Sequence, residues 1–267
     1  MLKTETKLID SDGNAFGLRL ISGKPRVSSQ SYLYDITEGN VPNHHFVSKF
    51  GYDPDATTST IEVWSDSVAY NYAASAETLY LSSTNNADNQ VYEIQGLDAK
   101  WNMQTATVKC SGFTSALVPG TWIRTNRIKN LGATNNAGII YLSTDSDTTG
   151  DGIPNPITTV RAQIGVGYNQ TLMAIWSVPN DYTAFITSLY ASASAATSKT
   201  IDIGLWVRPY GGVFQIKKLF SIQSGSTVQL VYDFPLKVKE RSDIRVTANA
   251  SGASLVSAGF DAWYEKE

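Results

Sequence analysis

From Asn169 onward the chain reads as one β-strand after another. Ile201, Ile203, Leu205 and Val207 alternate with their neighbours in IDIGLWVR. Val228, Leu230, Tyr232 and Phe234 do the same in VQLVYDF, and Ile244, Val246, Ala248 and Ala250 in IRVTANA. A period of two puts each set on one face of a pleated strand, which is stable when that face is buried against a second sheet. No sustained helical period interrupts this pattern. So much packed sheet with so few reactive side chains suits a building block better than an enzyme.

The same pattern extends towards the N-terminus. Strand candidates fall at residues 60–64, 78–82, 91–95, 105–110, 122–129, 138–143 and 158–164, then at 172–178, 182–192, 200–208, 213–221, 228–234, 244–250 and 255–264. Turn formers separate them: Asn85-Asn86, Pro119-Gly120, Pro179-Asn180-Asp181 and Pro209-Tyr210-Gly211-Gly212. Strands about 8–12 residues apart are the mark of an all-β sandwich or jelly roll. Residues 51–165 and 166–267 are read as two β-sandwich parts, which either pack as subdomains or form a single domain. Residues 1–50 carry few paired apolar positions, with short extended candidates at 16–21 and 32–36. They are read as an extended N-terminal arm that a neighbouring subunit orders.

Composition narrows the function classes. The net charge of −3 argues against direct nucleic-acid binding, which needs clustered lysine and arginine. The basic stretches at 124–129 and 237–241 alternate with apolar residues and read as solvated strand faces. Charged residues make up 17% of the chain, below the roughly 25% usual for soluble domains, and Ser, Thr, Asn and Ala fill the gap. That balance fits surfaces that face other subunits, and equally a neutral polar surface. No apolar run nears the roughly 20 residues of a membrane-spanning helix, and the start lacks the apolar core of a signal peptide. Synthesis in a reducing cytoplasm is expected. The single cysteine, Cys110, shares a strand face with Ala106 and Val108 and is expected to be a buried, inert thiol.

A search for chemistry finds little. His44 and His45 are adjacent, so on an extended chain they point opposite ways, and no third histidine is available for zinc. Nucleophile-elbow, phosphate-loop and zinc-protease motifs are all missing. No catalytic or cofactor-binding residue is assigned. Paired carboxylates for glycoside cleavage depend on three-dimensional spacing, but the chain has only eight glutamates, and several, such as Glu62 and Glu93, sit in alternating strand positions, which disfavours that reading. The sharpest local signal is STDSDTTGDGIPNP, where Asp145, Asp147 and Asp151 precede Gly152 much as in a calcium loop. Thr149-Gly150 breaks that spacing and no bidentate glutamate follows, so a turn held by aspartate side chains is expected. Trp64, Tyr80, Tyr92, Trp101, Trp122, Trp176, Trp206, Tyr210 and Trp263 lie mostly on strands. They suit core and interface packing, with a sugar-stacking platform as the alternative.

Several segments carry a resemblance. GYDPD, ETLYLSS, IQGLDAKWN, RTNRI and NQTLMAIWSVPNDYTAFITSLYAS occur in that order, followed by VRPYGGVF, DFPLKVKERSDIRVTA and SAGFDAWY. Together they resemble a family of tailed-bacteriophage virion structural proteins, over roughly residues 50–264. The loop around residues 145–156 departs from that pattern. The resemblance implies a non-enzymatic virion component assembled in the bacterial cytoplasm, either a capsid decoration (cement) protein or a minor capsid protein. Its implied partners are its own copies, with a trimer favoured, and the major capsid or other virion proteins. The alternative is a tail or head-fibre component that binds host-surface carbohydrate.

Overall fold

The computed structural model describes residues 8–9, 15–16, 19–21, 24–26, 32–66 and 68–266. The chain divides into two compact units, residues 1–45 and 46–267. In the first, β1 (Leu8–Ile9) pairs with β2 (Ala15–Phe16), and β3 (Arg19–Ile21) with β4 (Lys24–Arg26). Residues 32–36, expected to be extended, form helix α1 (Tyr32–Thr37). The reason is local: Thr37 Oγ1 donates to Leu33 O at 2.9 Å, and Gly39 at φ +73° takes the left-handed position that ends the turn. A short apolar run has no periodicity long enough to separate helix from strand. The rest of the stretch read as an arm lies largely outside the described residues.

The second unit is all-β, as the alternation requires. Its strands are β5 (His44–Ala56, which begins two residues earlier), β6 (Ile61–Glu62), β7 (Tyr80–Ser83), β8 (Val91–Leu97), β9 (Met103–Lys109), β10 (Ala116–Leu117), β11 (Arg124–Asn130), β12 (Ile140–Ser143), β13 (Val160–Ile164), β14 (Ile175–Ser177), β15 (Tyr182–Ser194), β16 (Thr200–Arg208), β17 (Gln215–Gln223), β18 (Thr227–Val238), β19 (Asp243–Ala250) and β20 (Ser254–Lys266).

Eight of these strands, β5 and β14 to β20, form the body of two facing sheets in the orders β5-β20-β15-β18 and β14-β19-β16-β17, and short β6 adds to the second by pairing with β19. The pairs nest: β5 with β20, β14 with β19, β15 with β18, β16 with β17. First pairs with last and the fourth with the fifth, so the chain is wound like one long folded hairpin, the strand order of a jelly roll. Between the sheets lie Ile201, Ile203, Leu205, Ile244, Val246, Ala248 and Ala250 from one side, and Ile186, Leu189, Ala191, Val256, Ala258 and Phe260 from the other. Full burial of each large aliphatic contributes roughly 1.5–3 kcal/mol.

Residues 57–174 interrupt this roll between its first and second strands. Most of them build a second, smaller β-layer pair, β10-β7-β12-β13 over β11-β8-β9, with its own core of Leu81, Tyr92, Ile94, Trp122, Ile128, Ile140, Leu142 and Ile164. A boundary at residue 51 therefore falls inside β5, and the roll is not contiguous in sequence. The two layers meet closely where β5 crosses. At Gly51 a Cβ would lie 1.9 Å from Val63 O and 2.6 Å from Ala174 N, so no side chain fits there.

Two bulges shift the expected phase. Buried residues of β15 run Ala184, Ile186 and then Leu189, Ala191, because the pairing with β20 slips at Thr187. Opposite that same residue, β18 carries four residues, 232–235, between its pairings at Val231 and Leu236. Phe234, expected on the buried face of VQLVYDF, is consequently 89% exposed, and Val228, Leu230 and Tyr232 are only partly buried.

Candidate functional site

The residues singled out by sequence mostly settle into structural roles. Cys110 is buried, and burial raises its thiol to about 11, in keeping with an inert side chain. His44 Nδ1 lies 2.7 Å from Pro42 O. Glu93 is paired with Lys129 at 2.9 Å, and Glu62 with Arg245 at 2.5 Å. Asp145 Oδ1 accepts from Asp147 N at 2.9 Å and its Oδ2 from Asn155 N at 2.8 Å. Asp147 Oδ1 accepts from Thr149 Oγ1 at 2.6 Å, and Asp151 Oδ1 from Ile153 N at 2.9 Å. Each carboxylate closes its own turn. Among the described residues no group of three or more His, Cys, Asp or Glu is placed to hold a metal ion. Gly152 is obligatory in this loop: it sits at φ +75°, and a Cβ would lie 1.8 Å from Ser83 O.

Two features stand out that single residues did not announce. The first is the face formed by β17 and β18, the edge strands of the two roll sheets. Along β17 only Ile222 is buried, and along β18 only Val238. Exposed apolar side chains sit on both strands and on the preceding turn: Val213 at 73%, Leu219 at 62%, Val231 at 74%, Phe234 at 89% and Ile216 at 43%. Leu219 pairs with Gly204 and Val231 with Ser188, each out of phase with the core positions, so these two point outward from their own sheets. Lys218 Nζ, 5.7 Å from the Tyr232 ring centroid, ties the two strands together. Both edges are blunted against strand addition. Lys217 falls where β17 slips against β16, and Pro235 lies in the bulge of β18. Lysines, bulges and prolines are the usual devices that stop open edges from pairing.

The second feature joins the roll to the inserted layers. Arg124, in a stretch expected to be a solvated strand face, is 7% exposed. Its Nε and Nη2 donate to Asp243 at 2.6 and 3.0 Å, and its Nη1 to Ala73 O and Ile123 O. Arg208 Nε and Nη2 donate to the same carboxylate at 3.0 and 2.6 Å, and Ser177 Oγ donates to it at 2.5 Å. Burial alone would raise the Asp243 carboxyl. The hydrogen bond and charge of Arg124, with Ser177 and Arg208, outweigh burial and hold it below the usual carboxylate range.

Aromatic rings continue this cluster into a ladder. Arg241 lies 5.5 Å from the centroid of Tyr210, which meets Trp101 edge-on at 5.8 Å. Arg124 lies 4.7 Å from Trp101 and 5.5 Å from Tyr72. Arg208 lies 4.5 Å from Tyr72 and 4.6 Å from Phe214, and Arg245 lies 3.9 Å from Phe214. Desolvated cation–π contacts reach about 2 kcal/mol each. Trp101 is held at φ +67°, a costly conformation for a bulky residue, by the turn that Asp98 Oδ1 makes with Lys100 N and Asn102 N. A cavity of about 600 Å³ opens along the ladder, lined by Tyr72, Trp101, Arg124, Arg208, Tyr210 and Arg241 among others.

A second concavity, also about 600 Å³, lies between β5, β9 and β11 and contains Lys49. The Lys49 ammonium donates to Asn126 O; burial, helped by the charge of Arg127, lowers it to about 7.

No known family matches the chain, and no curated protein does. Among solved structures, the chain is similar to the structure of infectious bursal disease virus Gx strain, at 8% identity over 84% of this chain and 71% of that one, with a TM-score of 0.23. The Gt strain structure follows at 9% identity, 88% and 82% coverage and 0.19. The VP2 subviral particle of the same virus gives 9%, 85%, 77% and 0.18. Scores this low do not establish a common fold.

Proposed function

We propose that the protein is a non-enzymatic structural component of a bacteriophage virion, a capsid decoration or minor capsid subunit that self-associates around a symmetry axis. One observation carries the reading: two consecutive long strands, β17 and β18, have one buried residue each and expose five large apolar side chains on and beside them. A second copy is the occupant this face suits best. The blunted edges disfavour strand addition, so association proceeds by packing the exposed side chains of this edge, Phe234 foremost, across the axis. Burying Phe234 alone contributes roughly 2–3 kcal/mol per subunit, repeated at each symmetric contact. A trimer is the proposed state. The sequence resemblance to phage virion proteins supports the same reading, and the N-terminal residues are proposed to engage the particle.

Light scattering of the full chain should report a closed oligomer, and Phe234→Ser with Leu219→Ser should shift it to monomer without lowering the thermal midpoint. A wild-type monomer at high micromolar concentration overturns the self-association. Co-sedimentation with depleted particles, using a form that lacks residues 1–43 and so keeps β5 whole, checks the role of the N-terminal residues. Undiminished binding would count against it.

A further inference from the structure

We propose that the cavity along the arginine–aromatic ladder is a binding site for a carboxylate-bearing sugar residue. Its lining holds three guanidinium groups, from Arg124, Arg208 and Arg241, against the single carboxylate of Asp243, a surplus of two positive charges. The acids next in sequence to lining residues are committed elsewhere: Glu77 to Arg161 at 2.7 Å, Asp98 Oδ1 to Asn102 N at 2.9 Å, and Glu240 Oε2 to Asp181 N at 2.7 Å. Arg124 and Asp243 satisfy one another and form the floor. The other two arginines are only partly committed. Arg208 spends Nε and Nη2 on Asp243, and Arg241 spends the same pair on Asn180 Oδ1. Their Nη1 groups have no protein acceptor among the described residues, and both arginines line the same cavity, which leaves two donors for the two oxygens of one carboxylate.

The rest of the lining argues for a sugar ring over a bare anion. Tyr210, 64% exposed, offers an accessible ring at the rim, where it meets Trp101 edge-on and the Arg241 guanidinium. Ala73, Ala74, Ala76, Gly211 and Gly212 line much of the remainder and leave the space open. The volume falls within the roughly 300–1,000 Å³ of small-molecule sites and exceeds what an inorganic anion fills. A pyranose with a carboxylate offers both an apolar C–H face for Tyr210 and a planar anion for the two arginines. This site is independent of the self-association proposed above, since no residue of the β17–β18 face takes part.

Calorimetric titration of the full chain with glucuronate at low salt tests it, with glucose and inorganic phosphate as separate arms. Saturable glucuronate binding is expected, with glucose and phosphate each at least about tenfold weaker because each lacks one of the two recognised features. Tyr210→Ala and Arg241→Gln should each weaken glucuronate binding by about tenfold with an unchanged thermal midpoint, while Tyr210→Phe retains it. Absence of saturable binding overturns the proposal. So does phosphate or glucose binding equal to glucuronate, or affinity that survives both Tyr210→Ala and Arg241→Gln.

Discussion

Substitution of Asp243 by Asn tests what holds the roll to its inserted layers. The change keeps the shape but removes the charge that two arginines share. Asp243 is 2% exposed and accepts five hydrogen bonds, two from Arg124, two from Arg208 and one from Ser177. An asparagine amide turns an N–H towards a guanidinium N–H and leaves buried Arg124 without a counter-charge. Breaking a buried pair in this way costs about 3–5 kcal/mol, far above the 0–1 kcal/mol of a surface pair. At about 2–4 °C per kcal/mol for a domain of this size, the midpoint should fall by roughly 6–20 °C. Urea unfolding followed by tryptophan fluorescence at pH 7 gives the free energy directly. The pH dependence supplies a second readout. Because the folded carboxyl titrates below its unfolded value near 4, its contribution is present above that value and lost as pH falls through the lower folded one. Wild type and Asp243→Asn should therefore differ by a constant amount above about pH 5 and converge in stronger acid. Replacing Asp243, Arg124 and Arg208 together by apolar residues should recover much of the loss. A loss under about 1 kcal/mol for Asp243→Asn would refute the reasoning, since it would mean the cluster behaves as a solvated surface pair.

Lys49 gives a stability slope of the same sign in a more alkaline window. Its folded ammonium titrates at about 7 whereas an unfolded lysine titrates near 10.4, so the unfolded chain binds more protons between those values. Unfolding free energy should rise from pH 7 to pH 9.5, and Lys49→Met should flatten that rise; equal slopes in the two proteins would count against the burial of this ammonium. For the loop of Asp145, Asp147 and Asp151, the separate turns imply that millimolar calcium and chelator leave the thermal midpoint unchanged. A calcium-dependent rise would instead reveal a cation bound to the folded state.

The roll core was legible because β16 and β19 keep strict alternation: Ile201, Ile203, Leu205, Val207 against Ile244, Val246, Ala248, Ala250. β5 was not legible, because its pattern is inverted. Lys49, Gly51 and Asp53 point inward while Phe46 and Phe50 are exposed, so a search for apolar alternation rejects it. The phase slip at Thr187 was equally hidden, since a bulge adds a residue without changing composition. The ladder could not be read at all from sequence spacing. Arg124 and Asp243 are 119 residues apart, and each looks like an ordinary surface charge until the fold places them together. The exposed β17–β18 face shows the converse limit. VQLVYDF alternates as a half-buried strand should, yet the bulge at 232–235 turns Phe234 outward.

The nested winding constrains how the chain reaches its native state during translation. β5 pairs with β20, whose first residue follows the start of β5 by roughly 200 positions, so at about 5–20 residues per second the ribosome delivers the partner some 10–40 s after β5 has emerged. The inserted layers, β7 to β13, have their own core and all their strand partners in hand well before then. They can condense while β5 still waits, and the polar inward face of Lys49 and Asp53 makes the waiting strand a poor seed for aggregation. Closure of the roll is then a late, long-range event, the slow kind of step that high contact order imposes.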